Sequence, residues 1–263
     1  MRRLVTTFLV IFFCSVLCAG TGAQDFSSLI AQGDAAWEKR GTDADPDNQK
    51  ALDFYLGATK LAPYSYEAHW KAARSLWWIS DQLLALSDDR ERQSALGKRG
   101  MALAERAVLI DPTGVEGHLY YAVVALHYAY GVGMINTLKE GIDDDIVRHL
   151  FLAYEKDKTF AGGLIPLSLS GLYRRAPWPM RDTEKALAYA REALLMDPSG
   201  IRTAVFAAAS LEAAGVTGEA MELLRKASEM EGNKDLEPDY KRWRRLAGRC
   251  VDEGRVIDPD RLF

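Results

Sequence analysis

The sequence has little of what staples a small fold or builds a reaction centre. Its 263 residues hold three cysteines, and two of these, Cys14 and Cys18, fall in an apolar stretch near the start. If that stretch is removed, Cys250 stands alone. A lone thiol makes no intrachain disulfide, so stability must come from packing. The four histidines, His69, His118, His127 and His149, are scattered without the spacing of metal ligands, and each reads as a packed or surface side chain. The signatures G-x-S-x-G, H-E-x-x-H, C-x-x-C, G-x-G-x-x-G and the P-loop are all missing. We therefore expect no enzyme, no cofactor and no metal site. Excess positive charge is also lacking: the formal net charge is −4, which argues against nucleic acid as a partner. The one basic run, Lys241, Arg242, Arg244 and Arg245, reads as the solvated face of a late helix.

Two acidic clusters fail as metal loops. In Asp43-x-Asp45-x-Asp47 the glycine expected at the sixth position of a calcium loop is Asn48, and the glutamate expected at the twelfth is Phe54. This cluster reads as a polar turn that caps a helix. Asp143-Asp144-Asp145 sits where another helix begins, and carboxylates there satisfy free N–H groups and the helix dipole.

A long membrane-spanning run is missing too. Leu4 to Leu17 gives 14 largely apolar residues, short of the roughly 20 that cross a bilayer. Arg2 and Arg3 precede it, and the small residues Thr21-Gly22-Ala23 follow. Residues 1–23 are expected to be a signal peptide cleaved near Ala23, and the mature chain an exported, periplasmic protein. The alternative is a membrane anchor formed by the same segment left uncleaved. Neither Cys14 nor Cys18 has the small residues before it that a lipid-anchoring signal requires.

What the sequence has is helical periodicity. Apolar and small residues recur at i, i+3, i+4 and i+7 from Phe26 to about Leu246. Asp43, Asp88 and Asp182 precede helical runs, and Pro63, Pro112 and Pro198 follow them. One spacing returns repeatedly. Ala51, Tyr55, Ala58 and Pro63 stand at offsets 0, 4, 7 and 12, as do Gly100, Ala104, Ala107, Pro112 and Ala186, Ala190, Ala193, Pro198. Ile146, Leu150, Ala153 and Ala220, Leu224, Ala227 keep the pattern without the proline. Successive units start 49, 46, 40 and 34 residues apart, so the early ones must hold longer helices or insertions, in "SDQLLALSDDRERQSALGKRG" and "YGVGMINTLKEGIDDD".

These letters resemble the second helix of the tetratricopeptide family, and the resemblance implies that the family's small first-helix position falls on Ala73, Ala122, Ser168 and Ala208. The resemblance implies an all-α fold over residues 24–263, a single domain of antiparallel helix pairs stacked as an irregular tetratricopeptide-like α-solenoid. The segment "YEKDKTFAGGLIPLSLSGLYRRAPWPMRDTEKALAYAREALLMDP" and the ending Asp-Arg-Leu-Phe are similar to the T component that accompanies TRAP-type solute transporters. That resemblance implies a non-catalytic periplasmic binding or assembly protein. It also implies a periplasmic solute-binding protein as partner and a homo-oligomer, specifically a trimer. The alternative is a generic scaffold for protein–protein interaction in envelope biogenesis.

In tetratricopeptide folds the first helix of each pair lines the concave groove. Carried over, this marks Trp70, Arg74, Trp77 and Trp78; Leu126 and His127; Ile165, Leu169 and Tyr173; and Arg202. Leu119, Val123, Leu172 and Val205 share those faces. Such a lining suits a small apolar or amphiphilic ligand or a partner helix. If the long helices fold onto each other, the same residues serve as core. Trp178, between Pro177 and Pro179, is expected to pin a turn.

Overall fold

Small side chains on one helix face let a second helix approach closely, because the interaxial distance follows the bulk of the residues at the contact. The computed structural model describes residues 25–42, 45–84 and 87–259. The expected leader, Asp43 and the closing Asp-Arg-Leu-Phe run lie outside the described residues. Among the described residues there are twelve α-helices and no strand. α1 (Phe26–Glu38) pairs with α2 (Pro46–Leu61), and α3 (Tyr66–Leu84) with α4 (Arg90–Ile110). α5 (Val115–Val132) pairs with α7 (Ile142–Asp157), with the short α6 (Met134–Glu140) between them. α8 (Leu164–Arg175) pairs with α9 (Thr183–Met196), and α10 (Ile201–Ala213) with α11 (Thr217–Glu229). α12 (Tyr240–Glu253) packs on α10 and α11 and closes that end. This is an all-α stack of helix pairs, as the repeats imply.

The repeated spacing is the packing seam. Ala51, Tyr55 and Ala58 are buried on α2, and Gly100, Ala104 and Ala107 on α4. Ile146, Leu150 and Ala153 on α7, Ala186, Ala190 and Ala193 on α9, and Ala220, Leu224 and Ala227 on α11 are buried as well. The facing positions Ala73, Ala122 and Ala208 are wholly buried. Ser168 is only half-buried, and Ser170 takes the buried place beside it. The Ser170 hydroxyl lies 2.7 Å from that of Ser210 and donates to the Ala186 carbonyl at 2.8 Å, so no polar atom is orphaned at this crossing.

The irregular spacing has two causes. The first long insertion lengthens α3 and α4 to 19 and 21 residues, whereas the second folds into the seven-residue α6. Boundaries follow local chemistry. Asp182 accepts from Lys185 N at 2.9 Å, and Asp89, one residue past the expected Asp88, accepts from Arg92 N at 3.0 Å. Asp143, Asp144 and Asp145 occupy the first turn of α7. Trp178 departs from expectation: it is 89% exposed and pins nothing. The turn is held instead by Met180 N donating to Pro177 O at 3.0 Å and Asp182 N to Tyr173 O at 3.0 Å.

Glycine matters where α4 crosses α5. A Cβ on Gly97 would lie 2.6 Å from the backbone nitrogen of Tyr128, and one on Gly131 would lie 2.5 Å from that of Ser94. Backbone cannot swing aside as a side-chain tip can. Gly97→Ala is expected to lose about 1–3 kcal/mol through overpacking, read as a lower urea midpoint. Gly248→Ala, which faces open space on α12, should instead gain up to about 1 kcal/mol from helix propensity. Equal midpoints for the two variants would refute the crossing argument.

Candidate functional site

The first helices of the pairs carry one inward face, and on it two clusters form. The first is a stack of aromatic rings and cations where α1, α2, α3 and α5 meet. Trp70 stacks on Tyr120 at 5.9 Å, and Trp77 tilts against the same ring at 6.1 Å. The Arg74 guanidinium lies 4.0 Å from the Trp37 ring centre and 5.0 Å from that of Trp70, and it donates to the Tyr55 hydroxyl at 3.2 Å. Tyr55 donates to Asp34 at 2.7 Å, and Lys71 reaches both Asp34 and Glu67 at 2.7 Å. Every charge here has a partner or a ring, so the cluster closes on itself as structure.

The second is a cavity of about 480 Å³, within the range of pockets that hold small organic molecules. Its walls come from eight helices. α3 gives Trp77, Asp81 and Leu84, and α5 gives Val123, Leu126, His127 and Tyr130. α8 adds Leu164, Leu167, Ser168, Gly171 and Leu172, and α10 adds Arg202 and Phe206. Arg90 of α4, Met134 and Leu138 of α6, Asp143 and Ile146 of α7, Met180 of the loop after α8, and Arg242 and Trp243 of α12 line it as well. The lining is mostly apolar, and the inserted α6 and the closing α12 turn an open groove into a chamber.

Arg202, Arg242 and His127 gather around the Asp81 carboxylate, and Arg90, Asp143 and Arg175 also line the wall. Asp81 accepts both Arg202 amino groups, at 2.7 and 3.3 Å, and Arg242 Nη1 stands 3.9 Å away. Burial pushes the Asp81 carboxyl up, but Arg202, Arg242 and His127 outweigh it and hold it below the usual carboxylate range. The Arg202 guanidinium lies 5.5, 5.6 and 5.4 Å from the rings of Trp77, Phe206 and Trp243, and Arg242 lies 4.1 Å from Trp243. Behind the wall, Trp243 Nε1 donates to Asp239 at 2.7 Å. Glu237 accepts from the backbone of Ile201 and Arg202 at 3.1 and 2.6 Å, capping α10. Burial raises the Glu237 carboxyl to about 7 against the pull of those two N–H groups.

The structure divides the residues marked in the sequence. Trp77, Leu126, His127 and Arg202 come together in the chamber. Trp70 and Arg74 stand in the self-contained aromatic stack, and Tyr173 stacks on Tyr189 at 5.9 Å outside the chamber. Trp78, Ile165 and Leu169 are core, and Trp78 donates to the Gly41 carbonyl at 3.0 Å. On α8 the expected Ile165 and Leu169 are turned from the chamber stripe of Leu164, Ser168, Gly171, Leu172 and Arg175, and Leu172 alone of the expected stripe lines it. A one-residue slip rotates a helix face by about 100°. Sequence reasoning missed Asp81, Phe206, Arg242 and Trp243. Arg242 corrects the reading of the basic run, since it faces the chamber while Lys241 and Arg245 are exposed. The signal that could have found Asp81 is that it is the one charged residue in the Leu76–Leu84 stretch. Among the described residues no three or more metal-ligating side chains converge, and no helix is long and apolar enough to cross a membrane.

No family model and no curated protein matches the chain. Solved structures do. The chain is similar to TTC0263, a thermophilic TPR protein of Thermus thermophilus, with a TM-score of 0.59 and 16% identity over 83% of this chain and 98% of that one. MamA gives a TM-score of 0.46 at 17% identity over 80% and 95% of the two chains. YrrB, described as a TPR protein with an unusual peptide-binding site, gives 0.43 at 15% identity over 87% and 94%. With the stacked helix pairs and their buried repeat positions, the likeness to TTC0263 gives this chain the tetratricopeptide-like fold.

Proposed function

We propose that this is a non-catalytic binding protein of the cell envelope that holds a small apolar or amphiphilic molecule between its first helices. The carrying observation is the chamber of about 480 Å³, closed by α6 and α12 and lined by Trp77, Leu126, Leu172, Phe206 and Trp243. Export is supported by Arg2-Arg3, the apolar Leu4 to Leu17 and the small residues before Gln24. The resemblance to the T component of TRAP-type transporters adds a role beside a periplasmic solute-binding protein, as a trimer. The test is native mass spectrometry of the protein recovered from its cells, alone and with candidate solute-binding proteins. An organic adduct released on unfolding is expected. Leu172→Trp, which fills the chamber, should remove that adduct while the protein stays folded. An adduct unchanged by Leu172→Trp would place the ligand elsewhere and sink the reading.

A second reading has its own observation. Met134, Ile135 and Leu138 are 51%, 69% and 48% exposed on α6, and Trp178 is 89% exposed on the loop after α8. Large apolar side chains left in water suit a protein partner. A co-migrating protein with no small adduct would favour this scaffold reading.

A further inference from the structure

The wall that α6 contributes is built unlike the others, and its role rests on the chamber being a ligand site. Met134, Thr137 and Leu138 line the cavity, yet Met134 and Leu138 are also 51% and 48% exposed. Side chains that line a cavity and also meet water form a partition one helix thick. A seven-residue helix falls short of the roughly 12–15 residues at which an isolated helix is marginal in water, so packing must hold it. α6 nevertheless buries only Thr137. Among the described residues, its side-chain hydrogen bonds all run back to the end of α5. The Thr137 hydroxyl lies 3.0 Å from the Gly133 carbonyl and 3.4 Å from that of Ala129, and Asn136 Nδ2 donates to the Val132 carbonyl at 2.9 Å. At the other end of α6, Glu140 accepts from the Tyr128 hydroxyl at 2.6 Å. Both junctions are glycines in backbone that other residues rarely adopt: Gly133 has φ 81° and ψ 161°, and Gly141 has φ 69° and ψ 17°. A Cβ on either would meet nothing within 4 Å, so neither glycine serves close packing. What the two supply is backbone that can turn at each end of a short, weakly buried helix, where segment motions are absorbed.

We propose that α6 is a lid on the chamber, hinged at Gly133 and Gly141 and latched by Tyr128 to Glu140, which opens to admit and release the ligand. Tyr128 and Glu140 do not line the cavity, so their bond steadies the closed lid equally with and without ligand. Losing it should quicken entry and exit by one factor and leave affinity unchanged, a pattern that a fixed wall does not give.

The experiment joins amide hydrogen exchange to stopped-flow binding of the neutral apolar fluorophore N-phenyl-1-naphthylamine. The amides of Leu138 to Glu140 are expected to exchange on the order of a hundredfold faster than those of Ala122 to Leu126 in the buried part of α5. Tyr128→Phe, which keeps the ring and removes the latch, should speed α6 exchange and both rate constants roughly fivefold, the worth of one hydrogen bond. Exchange in Ala122 to Leu126 and the dissociation constant should stay as they are. If α6 is as protected as α5, or if Tyr128→Phe leaves the rates alone or changes affinity instead, the lid is overturned while the chamber stands. If the fluorophore does not bind, or binds Leu172→Trp equally well, the chamber reading fails and the lid falls with it.

Discussion

Replacing Arg202 by alanine should cost about 3–5 kcal/mol of folding stability, the penalty of stranding a buried charge. The pair it breaks joins residues 121 apart in sequence, on α3 and α10. Contacts in a helical solenoid run mostly between neighbouring repeats, so this pair ties the second helix pair directly to the fifth. Once the guanidinium is gone, Asp81 retains Arg242 at 3.9 Å as a weaker partner, and Trp77, Phe206 and Trp243 lose the cation packed among them. Replacing both partners with leucine should cost clearly less than the single change, since two buried charges leave together. Arg191→Ala sets the scale: its pair with Glu219 is about half exposed on both sides and should contribute under about 1 kcal/mol. Urea unfolding followed by tryptophan fluorescence measures all three. A loss at Arg202→Ala no larger than at Arg191→Ala would show that the clasp holds nothing.

The repeat architecture was legible because helix pairing constrains sequence directly. Ala186, Ala190 and Ala193 must be small for α9 to lie against its neighbours, and the same demand writes the same letters on α2, α4 and α11. Helix rotation was less legible. On α3, Trp70, Arg74, Trp77 and Asp81 form one stripe at i, i+4, i+7 and i+11. The aromatics drew attention, and the aspartate that organises the chamber did not. Trp78 stands about 100° round the helix from Trp77, which turns it into the core. Arg242 was hidden by its neighbours for the same reason, because in a run of cations nothing but the adjacent Trp243 marks the one that faces inward. The walls supplied by α6 and α12 were out of reach, since neither belongs to the repeating pattern that located the groove.

Acid should weaken the α5–α7 contact through a pair of histidines that no spacing rule joins. His118 and His149 lie 31 residues apart, yet their Nδ1 atoms are 2.9 Å from each other in the interior. His118 Nε2 stands 3.1 Å from the Pro112 carbonyl. A carbonyl only accepts, so Nε2 carries the His118 proton, its Nδ1 accepts, and His149 Nδ1–H donates. Tyr121 stacks on the His149 ring at 4.1 Å. A proton added to His118 Nδ1 would face the hydrogen of His149, and one added to His149 would charge a buried ring. Burial, then the nearby Arg148 and His118, push His149 down to about 4, and burial lowers His118 as well. The sign follows from linkage. Unfolded, each ring takes its proton near the ordinary value of about 6.5, so below that pH the unfolded chain binds more protons and stability falls. The loss begins near the ordinary histidine value and is complete below about 4. For His149 it should reach about 2 kcal/mol, less than the full shift because water screens part of the pair. Glu237 acts the other way: raised to about 7, it gains stability as it takes its proton. The measurement is therefore a difference. Chemical unfolding at pH 7.5 and pH 4.5 is compared between the native chain and His149→Phe, which keeps the stack on Tyr121 and removes the titrating ring. The native chain should lose about 2 kcal/mol more than the variant over that interval. Parallel losses would mean that the two rings meet without carrying the acid response.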